Sequence, residues 1–285
     1  MKIAIFCKTY FKDIYRATKL AKSVCKFNIS KIPFFICLPK KDVGQLISEF
    51  NKNNIKTNQN NINIITDEEV IKTIKGITLE EYEQIPGGVS QQIIKSEIWR
   101  FINCDNYLCI DSDSEFIRNF ADAQFFDSKT GNLLTVMHDA NEFLDEVKNN
   151  RKIKIINDYY KDSNIMKKEF ERTGSDFDYG PQPLLWSSKV WNDLQNKHLS
   201  IKGETIASAI KRIPMEIRWY GEALLKFETI PIIPIAPLFK VYHYKWQKKN
   251  KNLEQYIGIV DQSNWNKKLD YRKSIYERIM SLFLK

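Results

Sequence analysis

Apolar and polar positions change period twice within the first forty residues. Residues 3–7 form an unbroken apolar run, 14–27 place Tyr15, Leu20, Val24 and Phe27 near helical spacing, and 32–38 are apolar again. Strand, helix and strand in that order predict a βαβ unit, and with it a parallel sheet of the α/β class. A helix over 42–51 and a short strand over 62–65 continue the alternation. The Asn/Lys-rich stretch between them has no hydrophobic period and reads as a surface loop.

Further along, Pro86-Gly87-Gly88 is a turn signal, followed by Ser90 as N-cap and a helix over 91–102. Ile94, Ile98 and Phe101 make its buried stripe, with Gln91 and Lys95 one turn apart on another side. A strand over 107–110 runs directly into Asp111-Ser112-Asp113, and another over 133–137 ends at His138-Asp139. The polar section 142–178 interrupts the βα rhythm, as insertions that cover a site or bind a second substrate do. An apolar run at 184–186, helices over 188–196 and 221–227, and a proline-punctuated strand over 230–239 follow. The predicted architecture is a Rossmann-type mixed sheet, mostly parallel and flanked by helices. Residues 1–239 form its body and 240–285 a basic tail.

Composition sharpens the tail. The 285 residues carry a formal charge of +9, and from Lys240 onward eleven Lys/Arg face four acids, so the body is close to neutral. A basic end on a neutral body points to a local anionic partner, and no nucleic-acid module appears. Within the tail Leu269, Tyr276, Ile279, Met280 and Phe283 share one helical arc. Such a helix fits peripheral contact with an anionic inner membrane, or packing on the body. No apolar stretch is long enough to span a bilayer, and the start lacks signal-peptide features. Five cysteines form no CxxC pair and no zinc spacing, which fits reduced cytosol.

Asp111 and Asp113 are the sharpest chemical signal, because a strand delivers them to the carboxyl edge of the predicted sheet, where open α/β folds bind ligands. A second Asp-x-Asp, Asp176 to Asp178, lacks that context. Two carboxylates there repel unless a cation joins them, and Mg²⁺ or Mn²⁺ shared with substrate phosphates is the usual solution. His243, in Val241-Tyr242-His243-Tyr244, is either a nitrogen ligand for Mn²⁺ or a packed histidine among tyrosines. Glu222 is placed at the opening of the 221–227 helix, where it either complements the helix dipole or serves as general base, with Asp139, Asp176 and Asp178 as rivals. No nucleophile triad order, P-loop or GxGxxG is present.

Gln91-Gln92-Ile93-Ile94-Lys95 followed by Tyr107-Leu108-Cys109-Ile110-Asp111-Ser112-Asp113-Ser114-Glu115-Phe116 resembles the GT-A-fold glycosyltransferases of bacterial capsule and lipopolysaccharide clusters, in the subgroup pairing a QQxxK helix with a DxD turn. The resemblance spans roughly 1–239 and implies that this body is a catalytic domain, with a donor-binding half at about 1–115 and an acceptor-side half at about 116–239. It also implies a nucleotide-sugar donor, a divalent cation (Mn²⁺ or Mg²⁺) and a glycan or lipid-linked glycan acceptor. By that resemblance Asp111 sits near ribose and metal, Asp113 and His243 ligate the metal, and Lys95 reaches the donor. Thr9 meets the base, Gln91 and Gln92 line the site, and Glu222 is the base. Gly180-Pro181-Gln182-Pro183 stands where relatives often have a histidine. A nucleotidyltransferase is the competing enzyme class, but Lys8-Thr9-Tyr10-Phe11-Lys12 has no glycine where such enzymes carry a Gly-rich loop. A non-enzymatic binder of anionic surfaces is the other alternative.

Overall fold

The computed structural model describes residues 2–139, 144–145, 147–148, 153–242, 248 and 252–262. Its strands are β1 (Ala4–Lys8), β2 (Phe34–Leu38), β3 (Ile62–Thr66), β4 (Asn106–Asp111), β5 (Ser114–Phe116), β6 (Thr135–Val136), β7 (Leu184–Ser187), β8 (Pro234–Ile235), β9 (Phe239–Tyr242) and β10 (Gly258–Asp261). Its helices are α1 (Ile14–Phe27), α2 (Val43–Lys52), α3 (Asp67–Ile71), α4 (Leu79–Glu83), α5 (Gly87–Ile102), α6 (Ile153–Glu169), α7 (Ser188–Asp193), α8 (Ile206–Arg212) and α9 (Glu216–Phe227). The central sheet has the order β3-β2-β1-β4-β7, with the first four strands parallel and β7 antiparallel to β4. This is the predicted mixed, mostly parallel α/β sheet flanked by helices.

Period-two alternation in β1 splits its side chains between two cores. Ala4 and Phe6 join the layer built with α5 and α9, whereas Ile3, Ile5 and Cys7 face α1. Because both faces are covered, the strand reads as one continuous apolar run. From β1 the chain winds outward to β2 and β3, then returns to lay β4 on the other side of β1. Connections leaving the carboxyl ends of β1 and β4 therefore diverge, which opens the crevice where such sheets bind ligands. Lys8 stands opposite Asp111 in the register, so both strands end at the same level.

Several element boundaries differ from expectation for local reasons. Tyr15 is 64% exposed under the Lys19 ammonium, and Ile14, Ala17, Leu20, Ala21 and Val24 take the buried face of α1. Helix α5 starts at Gly87, one turn earlier than predicted, with the extended Pro86 in the cap position. Ser90 is thus inside the first turn, donating back to the Gly87 carbonyl at 3.3 Å, and is not the N-cap. Helix α9 starts at Glu216 and not at Gly221. Ile213 is held extended before Pro214, and the helix opens as soon as that restriction ends. Of the predicted strands over 133–137 and 230–239, only the two-residue pair β6 and β8 forms ahead of β9. Pro231, Pro234 and Pro237 lack the N–H donors for a longer ladder.

The boundary drawn at residue 239/240 is crossed by a strand. β9 continues through Tyr242, and β10 pairs parallel to β9 and antiparallel to β5, directly after the Asp111 to Asp113 turn. The Asp261 amide donates to the Asp113 carbonyl at 2.9 Å. Part of the basic tail is thereby stitched to the body, while the amphipathic arc over 269–283 and His243 lie outside the described residues. Among those residues no helix is long and apolar enough to cross a membrane.

Candidate active site

A cleft of about 740 Å³ opens at the carboxyl ends of β1 and β4. Thr9, Gln91, Asp111 and Asp113 line it, so four of the predicted site residues come together there. Thr9 extends β1 by one residue, its amide donating to the Cys37 carbonyl at 2.8 Å, and Asp111 closes β4. Asp113 follows across the buried Ser112, which pins the turn to the body. Gln91 reaches the cleft from the first turns of α5.

Lys95 is one turn further along α5 and only 3% exposed. Its ammonium donates to Asp111 Oδ1 at 2.7 Å and lies 4.0 Å from Glu216 Oε1. Burial alone pushes a lysine toward neutrality, but Asp111 and, less strongly, Glu216 outweigh it and raise the Lys95 pKa above its ordinary value. The lysine is therefore a fixed cation under the turn. Glu216 opens α9 in a buried position, and burial raises its carboxyl pKa against the pull of Lys95. Gln92 does not face the cleft: its Nε2 donates to the Gly88 carbonyl at 3.0 Å, and its Oε1 accepts from the Glu216 amide at 3.3 Å. It ties α5 to the start of α9.

The opposite wall carries residues that the sequence did not single out. Asp67, the first residue of α3, accepts from Tyr82 at 3.0 Å and Cys37 at 3.2 Å and pairs with Lys8 at 3.1 Å. A legible signal existed, since Thr66 and Glu69 form a capping box that starts a helix at the sheet edge and so delivers Asp67 to it. Six carboxylates (Asp13, Asp67, Glu68, Glu83, Asp111 and Asp113) and two lysines (Lys8 and Lys41) are among the described residues of the lining. Lys8 is already paired. An anionic ligand entering this cleft meets net negative charge unless a cation accompanies it.

Glu222 is far from the expected role. It sits in the second turn of α9, has no exposed surface, and is gripped by Arg172 at 2.5 and 2.9 Å and by the Tyr179 hydroxyl at 3.0 Å. A general base needs a path to the acceptor hydroxyl, and this carboxylate has none. The misplaced helix start is the reason, because the first-turn acid of α9 is Glu216. Asp139 is exposed beside His138, whose Nε2 donates to the Gly180 carbonyl at 2.5 Å and whose backbone bridges Asp178. Asp176 is held by Ser163 and Lys167, and Asp178 accepts from the Gly180 amide at 3.0 Å.

A family model covers residues 2–275 of the chain. The chain belongs to the family of unknown function DUF6492. Among curated proteins, none matches its sequence. The fold of this DUF6492 chain is similar to that of the bifunctional glycosyltransferase WbbM, at 8% identity and a TM-score of 0.51 over 92% of the chain. It spans only 46% of WbbM. Mouse xyloside xylosyltransferase 1 has 8% identity and a TM-score of 0.48, over 93% of this chain and 99% of its own. The galactosyltransferase LgtC, solved with donor and acceptor sugar analogues, has 13% identity and a TM-score of 0.44, over 84% and 75%. At these identities the likeness to WbbM is one of fold, and the fold is GT-A-like.

Proposed function

We propose that the chain is a glycosyltransferase that moves a sugar from a nucleotide-sugar donor to a hydroxyl of a glycan acceptor in the cytoplasm. One observation carries the reading: Asp111, which ends β4, and Asp113, in the turn that follows, both line the large cleft at the sheet's switch point, with Thr9 and Gln91 on its walls. A surface glycan of capsule or lipopolysaccharide type, free or lipid-linked, is the acceptor class that the motif resemblance implies. The residues suit a hard divalent cation, Mn²⁺ or Mg²⁺. Among the described residues no cluster of three or more His, Cys, Asp or Glu is arranged around a metal. Phosphate oxygens and water then complete a site that offers carboxylate oxygens and an acidic wall.

Division of labour follows from the neighbours of each carboxylate. Asp111 is neutralised by Lys95, so it orients toward the ribose side and buffers the local charge. Asp113 is the principal metal ligand. A cation there supplies charge stabilisation for the nucleoside diphosphate as it leaves. Lys95 and Glu216 position Asp111 from below, and Gln91 lines the donor's path. Activation of the acceptor hydroxyl is not assigned to Glu222, given its buried ion pair with Arg172.

The test is a donor screen that follows nucleoside diphosphate release over a panel of nucleotide sugars with Mn²⁺ and with EDTA. Release from one donor, lost with EDTA and in Asp113→Asn while the far-ultraviolet circular dichroism is unchanged, is the expected outcome. Undiminished Mn²⁺-dependent release by Asp113→Asn removes the metal assignment, and no release or binding with any donor removes the glycosyl-transfer reading.

A further inference from the structure

Buried polar groups almost always find a partner, and those that do not mark places where a bond is left to be made. Two buried side-chain oxygens without a hydrogen-bond partner flank the turn between β4 and β5: Thr9 Oγ1, at 3% residue exposure, and Ser114 Oγ, at 2%. A third is Gln182 Oε1, on a side chain that is 8% exposed. Gln182 comes from a distant part of the chain, yet the register brings it to the same end of the sheet. Leu184 pairs with Cys109 in the antiparallel β4 and β7 ladder. Two residues before Leu184 is Gln182, and two residues after Cys109 is Asp111, so both leave the ladder at the same end.

Local backbone cannot satisfy this amide. Pro181 and Pro183 flank it, and neither has an N–H to donate. A carboxamide oxygen is an acceptor only, so it calls for an O–H or N–H. Within a nucleotide sugar the diphosphate oxygens accept and do not donate, whereas the hydroxyls of the sugar and of the ribose donate, and comparison of the nucleotide sugar with its nucleoside diphosphate separates the two. We propose that Gln182 is a donor-sugar binding residue, accepting a hydrogen bond from a hydroxyl of the sugar attached to the diphosphate at Asp111 and Asp113. This inference rests on the glycosyl-transfer reading and adds to it a residue that discriminates the sugar from the nucleotide.

The experiment measures binding by calorimetry in Mn²⁺, for wild type and Gln182→Met, using the best nucleotide sugar of the panel and its nucleoside diphosphate, together with the melting temperature of each protein without ligand. Expected is a loss of about tenfold in affinity for the nucleotide sugar and less than about twofold for the nucleoside diphosphate. Melting is expected unchanged or slightly higher, because Met removes an unpaired polar atom from a buried site. Equal affinity of both proteins for the nucleotide sugar overturns the inference, as does an equal loss for both ligands or a melting temperature lowered by several degrees. If wild type binds the nucleoside diphosphate but gains or loses nothing from the attached sugar, the inference fails while nucleotide binding stands. If wild type binds neither ligand, the glycosyl-transfer reading itself fails and this inference with it.

Discussion

Lys95 shows how a single residue's meaning depends on what folds around it. In the sequence it is a polar position one turn from Gln91, and in the structure it is a buried cation between Asp111 and Glu216. Replacing it with Met leaves two carboxylates without their cation. Breaking a buried pair typically costs about 3–5 kcal/mol, and solvent around Asp111, whose side chain is 37% exposed, screens part of that. The expected loss is about 2–3 kcal/mol in urea unfolding, and a loss under about 0.5 kcal/mol means the pair is solvated. Asp111 and Asp113 were legible because a strand signal preceded them. For Asp67 the sequence carries only the Thr66 and Glu69 capping box that places it at a helix start, and its contacts with Lys8, Cys37 and Tyr82 arise only where separate segments meet.

At the scale of the element, α9 carries the main correction. Its amphipathic pattern predicts a start at Gly221, but Pro214 sets the start at Glu216, and five residues of shift move Glu222 from a first-turn acid into the packed interior. There Arg172 and Tyr179 fasten the segment before β7 to the helix. Gly221 permits this approach, because a side chain at that position would run into the Tyr179 ring. Arg172→Leu is expected to destabilise by about 3–5 kcal/mol by stranding the Glu222 charge. The double variant with Glu222→Leu is expected to recover most of that, since removing both partners of a buried pair is often close to neutral. Denaturant melts of the two single variants and the double variant decide this. Additive losses in the cycle would mean the pair is not coupled.

For the whole molecule, a charged network beyond the cleft governs the response to acid. Glu169 at the end of α6 pairs with Lys202 at 2.7 Å, Arg212 at 2.9 Å and His198 at 3.3 Å. Burial acts to raise its pKa, but hydrogen bonds from Arg212, Lys202 and His198 prevail and hold it at about 2. The unfolded chain then binds the proton first, so this stabilisation is complete above about pH 4.3 and drains as pH falls toward 2. His198, stacked on Phe170, is lowered chiefly by burial, so protonation also favours the unfolded chain at pH values below about 6.5. Melting temperature is expected to fall from about pH 6.5 downward and more steeply below about pH 4.3, with the steeper limb flattened in Glu169→Gln. A limb that survives the substitution places the acid sensitivity elsewhere.

The α/β class, the order of the central elements and the strand that runs into the Asp111 to Asp113 turn are legible in the sequence alone, because these depend on local period and on turn chemistry that neighbouring residues supply. Only the tertiary structure decided which charges meet. It paired Lys95 with Asp111, withdrew Glu222 from the site, placed Asp67 on the cleft wall and drew residues 258–261 into a strand beside the turn. Electrostatic partners and burial are set by distance in space, and residues far apart along the chain carry no local mark of their meeting.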